Sequence, residues 1–215
     1  MVTTPVIPAL RAPRSWASLL LGVVLVGVGL GFMIDGGFGV APADALFTAV
    51  SRASGLSVGL VLIMMSVLMV LMAWTLGIRP AIGTLITFVG IGILVDITRL
   101  LGAAVGAPEW ELPARIALWA FGLVLFCAGV VGIFSADLGT SPYDQVVRAI
   151  AYRTGRSLGF ARVVVDAITL LTAIILGGSY GVGTVVILIV VPLALNLVLP
   201  RVKRHVRPGF SASTP

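Results

Sequence analysis

Charged side chains are scarce in this sequence. Only 10% of its 215 residues are Asp, Glu, Lys or Arg, whereas 59% are hydrophobic. A soluble domain has roughly 25% charged and roughly 45 to 50% apolar residues. The chain therefore has too little polar surface to cover a water-soluble core, and this composition excludes a soluble enzyme and predicts a membrane protein.

Histidine and cysteine are almost missing as well. The one histidine, His205, lies in a basic tail, and the one cysteine, Cys127, lies in an apolar stretch. A His/Cys zinc site, a Cys–His nucleophile pair and an intramolecular disulfide each need more of these side chains than one chain supplies. The Gly-Lys-Ser/Thr ending of a phosphate-binding loop does not occur either. We expect no catalytic residues, no metal, no cofactor and no enzymatic activity.

Long uncharged runs are what the sequence has instead. A helix that crosses a bilayer needs about 20 mostly apolar residues. Residues 17–34, 57–78 and 116–136 contain no charged side chain, and residues 167–200 form an uncharged run long enough for most of two helices. Residues 80–101 and 158–177 complete six predicted spans, although they contain Asp96, Arg99, Arg162 and Asp166.

An internal repeat relates the two halves of the chain, because a shift of 100 residues superposes glycine, proline, aspartate, serine and threonine on their own kind. The superposed pairs include Gly39 and Gly139, Pro42 and Pro142, Asp44 and Asp144, Gly55 and Gly155, Ser57 and Ser157, and Thr84 and Thr184. The repeat predicts one integral membrane domain, with halves at 16–101 and 116–201 and flexible tails at 1–14 and 208–215. Each half has three spans, an odd number, so the second half enters the membrane from the opposite side. The predicted fold is an all-α membrane protein of two inverted three-helix repeats.

The basic residues predict how the spans are oriented. With the N-terminus inside, eleven of the 14 Lys and Arg residues are cytoplasmic, and only Arg52, Arg99 and Arg115 are outside. This positive-inside bias predicts that both termini are cytoplasmic. It also explains the net charge of +6 without nucleic acid as a partner. Membrane lipids are the expected partners of a C-terminal basic cluster, which comprises Arg201, Lys203, Arg204 and Arg207.

The connection between the first two spans of each half predicts a short helix. Ser141 can cap a helix that Pro142 opens, and Asp144 then lies in the first turn, where the helix dipole favours an acidic side chain. Pro42 and Asp44 take the same places in the first half. Each half is thus predicted to carry a short amphipathic or re-entrant helix between its first two spans.

These motifs resemble the YczE/YitT-like family of bacterial membrane proteins, whose halves each carry a glycine-rich connection, a Gly-x-Ser-x-Gly helix start and a Gly-Thr hairpin. The first half reads Gly37-Phe-Gly-Val-Ala-Pro-Ala-Asp44, Ser54-Gly-Leu-Ser-Val-Gly59 and Ala81-Ile-Gly-Thr84. The second half reads Asp137-Leu-Gly-Thr-Ser-Pro-Tyr-Asp144, Thr154-Gly-Arg-Ser-Leu-Gly159 and Gly181-Val-Gly-Thr184. The resemblance covers nearly the whole chain and implies a multi-pass protein of the bacterial inner membrane. It implies no substrate, because the family has no settled activity and some members are linked only indirectly to export or regulation of secreted products.

Six residues are candidates for a substrate or ion pathway: Asp44, Asp144, Arg162, Asp166, Pro42 and Pro142. An acidic group near the membrane is costly and is retained mainly where it is paired or useful. The alternative for the two first-turn aspartates is a purely structural role at the start of a helix.

Arg162 and Asp166 are four residues apart, so they are predicted to pair on one helix face. Their first-half counterparts, Leu62 and Ser66, are uncharged. The alternative is that Arg162 reaches lipid phosphates while Asp166 neutralises it. Asp96 and Asn196, near the ends of two spans, are interpreted as interfacial.

Two functions are compatible with this pattern. The first is a small transporter or permease of unknown substrate, because inverted repeats create a central site that can open to either side. The alternative is a non-transporting accessory or regulatory membrane protein that acts through helix–helix interactions. A hydrated cavity lined by the candidate charges would favour transport, whereas a dry core packed by glycines would favour the accessory role. The oligomeric state stays open, and a homo-oligomer is compatible with the sequence.

Overall fold

The computed structural model describes residues 13–78, 80–139 and 141–206, with side chains as far as residue 198. The regular structure in these residues is helical. The helices are α1 (Pro13–Gly36), α2 (Pro42–Ser54), α3 (Val58–Thr75), α4 (Ile82–Ala104), α5 (Leu112–Ala136), α6 (Pro142–Thr154), α7 (Leu158–Ile175) and α8 (Val182–Val206), and a 3₁₀ turn (Ala107–Glu109) lies between α4 and α5.

Five of these helices, α1, α3, α4, α5 and α7, are long and apolar enough to cross a membrane. The described part of α8 adds a shorter apolar run, Val182–Val198. In contrast, α2 and α6 have 13 residues each and are amphipathic. The chain is therefore a multi-pass α-helical membrane protein, and the predicted fold class is confirmed at this level.

The starts and stops of the helices follow from local sequence. The Oγ atoms of Ser57 and Ser157 each accept a hydrogen bond from a backbone amide three residues later, at 3.2 Å. Gly55 and Gly155 end α2 and α6 in the left-handed conformation, with φ of 72° and 65°. Both halves therefore end the short helix at a glycine and cap the following helix with a serine.

The contact between α1 and α5 is built from glycines. A Cβ atom on Gly22 would lie 2.8 Å from the Gly129 carbonyl oxygen, and one on Gly29 would lie 2.6 Å from the Gly122 carbonyl oxygen. Since the earlier glycine of α1 meets the later glycine of α5, the two helices run antiparallel. The contact extends to Ser18, whose Oγ donates to the Gly132 carbonyl at 2.9 Å. Glycines allow this close backbone approach because no side chain separates the helices.

The other long helices surround this pair. α4 packs on α1, where Gly27 faces Leu94 and Gly31 faces Thr98, and α8 packs on α5. α3 packs on α4, because Gly59 lies against the backbone of Gly92. The core is therefore centred on α1 and α5.

The two short helices pack across the halves. α2 of the first half packs on α7, and α6 of the second half packs on α3. Arg52 of α2 donates to the Gly177 carbonyl at 2.6 Å, just beyond the end of α7, and Arg153 of α6 donates to the Leu76 carbonyl at 3.5 Å, just beyond the end of α3. α2 ends next to the start of α3, whereas α6 contacts the end of α3. The two short helices are therefore separated by the full length of α3, about 27 Å at 1.5 Å per residue.

A polar cluster holds the end of α1. The Arg99 Nε of α4 lies 3.2 Å from Oδ1 of Asp35, whose side chain is only 2% exposed. Arg115 of α5 donates to the Gly36 carbonyl at 3.2 Å, which provides a positive group at the C-terminus of α1. This cluster fixes the position of the loop that leads into α2.

The predicted tails fall largely outside the described residues. Pro13 and Arg14 of the predicted 1–14 tail belong to α1, whereas residues 1–12 and the predicted tail 208–215 lie outside the description. The side chains of the C-terminal basic cluster lie outside it as well.

Replacing Gly29 by alanine tests the glycine contact. The new Cβ would meet the backbone oxygen of Gly122 and the backbone nitrogen of Phe126, at 2.6 and 2.7 Å. We expect a loss of about 1 to 3 kcal/mol in the free energy of unfolding, the usual cost of overpacking. Thermal unfolding of the purified protein in detergent measures it. Gly159→Ala is the matched control, because that helical glycine has nothing within 4 Å, and it should be neutral or slightly stabilising. Equal effects of the two substitutions would contradict the packing.

Candidate functional site

Arg162 joins two carboxylates. Its Nη1 lies 2.5 Å from Asp144 Oδ1, and its Nε lies 3.1 Å from Asp166 Oδ2. The Arg162 side chain is 47% exposed, whereas those of Asp144 and Asp166 are 14% and 15% exposed. The predicted pairing of Arg162 with Asp166 is confirmed, and Asp144 adds a second partner that links α7 to α6.

Tyr143 completes the cluster. Its hydroxyl donates to Asp166 Oδ1 at 2.5 Å, and its ring centroid lies 5.3 Å from the Arg162 guanidinium carbon. Burial, followed by the hydrogen bond to Asp166, raises the pKa of the Tyr143 phenol, so the hydroxyl remains a donor at neutral pH. We call Tyr143, Asp144, Arg162 and Asp166 the charged cluster. With both acids ionised it has a net charge of −1.

Local sequence places these side chains. Pro142 opens α6, and Ser141 caps it by accepting a hydrogen bond from the Asp144 amide at 3.1 Å. The Ser141 hydroxyl also donates to Asp144 Oδ2 at 2.9 Å. The Asp144 carboxylate therefore points back towards the start of its own helix, where Arg162 reaches it. Asp166 lies eight residues after Leu158, about 12 Å along α7.

The first half lacks the partners that the second half provides. Ala41 replaces the capping serine and gives α2 no side-chain cap, and Leu62 and Ser66 replace Arg162 and Asp166. Within the described residues, Asp44 makes no hydrogen bond and no ion pair. Burial raises the pKa of its carboxyl from 3.8 to about 7.

The six candidate residues thus divide into two groups. Pro142, Asp144, Arg162 and Asp166 come together at the α6–α7 contact, whereas Pro42 and Asp44 lie in α2, which packs on α7 and α3. Pro42 and Pro142 each occupy the first position of a short helix, where the missing amide hydrogen has no effect on helical hydrogen bonding. Both prolines therefore have a structural role at the start of a helix.

The glycine-rich connection of each half lies against the Gly-Thr hairpin of the other half. Gly39 has a φ of 107°, and a Cβ there would lie 2.6 Å from Thr184 Oγ1; one on Gly139 would lie 2.7 Å from Thr84 Oγ1. The Gly183 amide donates to the Phe38 carbonyl at 2.8 Å. The repeated motifs therefore contact each other across the two halves: the connection of one half packs on the hairpin of the other.

Some polar contacts could not be read from the sequence. Asp96 is not merely interfacial as interpreted, because it accepts hydrogen bonds from Ser57 Oγ at 2.5 Å and from the Gly59 amide at 2.7 Å, and so caps α3. Tyr143 was not a candidate either. The only available signal was that a tyrosine stands beside Asp144 where the first half has Ala43.

Two open surface grooves lie elsewhere. One, of about 400 Å³, is lined by Ser57, Val58, Asp96, Arg99 and Leu100. The other, of about 440 Å³, lies between α1, α5 and α8 and includes Ser18, Cys127, Ser135 and Ala194. The charged cluster lines neither groove. Within the described residues, no three His, Cys, Asp or Glu side chains lie close enough together to hold a metal ion.

Comparison with known proteins finds one family that matches nearly all of the described residues. A protein family described as of unknown function (DUF6198) matches residues 13–199. The uncharacterized protein YyaS of Bacillus subtilis (strain 168) is 28% identical over 193 residues, which cover 86% of this chain and 92% of YyaS. An uncharacterized protein of Haemophilus influenzae is 26% identical over 167 residues, which cover 78% of this chain and 75% of that protein. No solved structure matches the chain.

Removing Arg162 tests the charge balance of the cluster. Arg162→Leu leaves Asp144 and Asp166 largely buried without their cation. We expect the free energy of unfolding to fall by about 1 to 2 kcal/mol, which is less than for a fully buried pair because Arg162 is half exposed. Adding Asp166→Ser reproduces the Leu62 and Ser66 pair of the first half and should restore part of the loss. Thermal unfolding in detergent measures both.

Arg148→Leu is the control for loss of a positive charge, because Arg148 is exposed on α6 and makes no ion pair within the described residues. It should leave the unfolding temperature nearly unchanged. If the double variant were less stable than Arg162→Leu alone, charge balance would not be the interaction that stabilises the cluster.

Proposed function

We propose, for a chain that belongs to the DUF6198 family of proteins of unknown function, that it is a small transporter of the bacterial inner membrane. We propose six spans, with α8 as the sixth, arranged as two inverted repeats with both termini in the cytoplasm. The repeated motifs also relate the chain to the YczE/YitT-like proteins that it resembles.

The observation that carries the transport proposal is the charged cluster. Two mostly buried carboxylates share one arginine, and one of them, Asp166, lies about 12 Å along α7, a helix that is apolar enough to span the membrane. Ionisable groups at such a depth are costly, and they mark substrate or ion paths more often than they serve stability. Arg162 is also the most exposed member of the cluster, so a solute has access to the ion pairs.

The charge of the cluster favours a cationic solute. A small cation can replace the Arg162 guanidinium on Asp144 and Asp166, whereas an anion would have to displace two carboxylates from one arginine. Inverted halves allow such a site to be exposed to either side by rocking of one half against the other. In this mechanism the glycine contact between α1 and α5 is the surface about which the halves move.

A second function is favoured by a different observation. The glycine contact leaves little space between the halves, and the charged cluster lines neither of the two grooves. A dry core of this kind suits an accessory or regulatory membrane protein that binds a partner through its outer helices, among which α7 is the least buried of the five long apolar helices.

Flux through the purified protein tests transport directly. Liposomes containing the protein should take up one or more small organic cations from a panel of guanidinium, choline and primary amines. Asp166→Asn should remain folded, because the amide still accepts a hydrogen bond from Tyr143, yet should reduce uptake at least tenfold because it removes one of the two negative charges. Arg148→Leu is the control and should transport normally. Absence of flux for the whole panel, with a folded protein, would favour the accessory role.

A further inference from the structure

Asp44 is an acidic side chain in an apolar setting. It lies deep in the protein, with part of its surface accessible, in the first turn of α2. Its own helix offers only Arg52 as a cation, and Arg52 donates instead to the Gly177 carbonyl and to Ser179. A partly buried carboxylate without a counter-ion is costly to ionise, so its charged form is disfavoured.

The elements packed against α2 supply no cation either. α3 has no charged or titratable side chain, and its Leu62 and Ser66, which correspond to Arg162 and Asp166, are both buried. On α7, Arg162 and Asp166 are bound to each other and to α6. In the α7–α8 hairpin, which hydrogen-bonds α2 at Thr48 and Arg52, the one titratable side chain is Tyr180, which is 49% exposed.

Three further charged residues near this end of the molecule have other partners. Asp96 caps α3, Arg99 pairs with Asp35, and Arg115 binds the Gly36 carbonyl. None of them forms an ion pair or a hydrogen bond with Asp44 within the described residues. Both halves therefore have an aspartate at this position, but within the described residues only the second half has a cation that pairs with it.

We propose that Asp44 is a reversible proton-binding site and, resting on the transport function proposed above, that the proton is the coupling ion. The two halves then differ in function: the second half pairs Asp144 with Arg162, whereas the first half leaves Asp44 without a cation within the described residues, so that its carboxyl can take up and release a proton. Protonation is a simple addition of H⁺ from water to a carboxylate oxygen and needs no further reactant.

Protonation of Asp44 predicts that the stability of the protein falls as the pH rises. The pKa of the Asp44 carboxyl is raised by burial from 3.8 to about 7. Below 3.8 the carboxyl is neutral in both the folded and unfolded chain, and the stabilisation is fully present. As the pH rises to about 7 the unfolded chain ionises first, so the folded state loses this stabilisation progressively. Asp44→Asn should remove this fall in the free energy of unfolding with pH and leave the rest of the pH dependence unchanged.

Carbodiimide labelling tests the proton site without any transport assay. Dicyclohexylcarbodiimide reacts with protonated carboxylic acids in apolar surroundings; the acid adds across one C=N bond, and the product rearranges to a stable N-acylurea with no leaving group. The full-length protein in lipid is treated at about pH 5 and at about pH 9, on either side of the ordinary neutral range. Peptide mass spectrometry then locates the adduct.

Labelling of Asp44 at least fivefold greater at the lower pH, with little label on Asp144, is the expected result, and Asp44→Asn should lose the adduct. Arg162→Leu, which gives Asp144 the same lack of a cation, should gain label at Asp144. Label on Asp144 but not on Asp44 in the natural protein, or equal labelling of Asp44 at both pH values, would overturn the proton site. The natural protein alone decides this, so the conclusion does not depend on whether Asp44→Asn folds.

The result is separable from the transport proposal. If Asp44 labels as expected but no cation flux is found, the proton site stands and the transport function fails. If flux is found but Asp44 does not label, transport stands without this coupling site. Where both hold, an imposed pH gradient should accelerate uptake at least threefold in the natural protein and not in Asp44→Asn.

Discussion

The antiparallel contact of α1 with α5 is the constraint on which the other contacts depend. Gly22 and Gly29 bring the backbones together without intervening side chains, so the two halves share one central pair of helices. In the same arrangement Gly39 of the first half lies at Thr184 of the second, and Gly139 of the second half lies at Thr84 of the first. α2 and α6 then pack on the partner half instead of their own first span.

Within this shared frame the two halves differ. In the first half, Gly59 lies against Gly92, and Asp96 caps α3. The second half has Pro192 and Asn196 at the positions of Gly92 and Asp96, and Gly159 has no neighbour within 4 Å. A proline has no amide hydrogen and a bulkier ring than glycine's single hydrogen, so it cannot reproduce the close approach.

This difference accounts for the exposure of the charged cluster. α3 packs on α4, and its Leu62 is buried at 5% exposure, whereas Arg162 at the matching position in α7 is 47% exposed. The open position leaves room for the long arginine side chain, whereas the closed position holds an apolar leucine. The more open position on α7 holds the arginine that pairs with Asp144, whereas Leu62 at the matching position on α3 leaves Asp44 without a cation.

Local features of the structure could be predicted from the sequence, and tertiary ones could not. Pro142, Ser157 and Gly155 act on their own backbone neighbours, and Arg162 meets Asp166 because a helix brings residues four apart to one face. The hydrogen bond from Tyr143 to Asp166, the bonds that Asp96 accepts from Ser57 and from the Gly59 amide, and the Asp35–Arg99 pair each join groups that lie far apart in the sequence. Their sequence separations of 23, 39, 37 and 64 residues follow no helical period.

The central proposal is that the two halves oppose each other across the membrane, with α2 on the outer side and α6 on the cytoplasmic side. Single cysteines at the matched exposed positions Ser54 and Thr154, in a Cys127→Ala background, test it most directly with a membrane-impermeant maleimide. The account predicts that Ser54→Cys labels in intact cells, whereas Thr154→Cys labels only after the membrane is permeabilised. Labelling of both positions from the same side would contradict it.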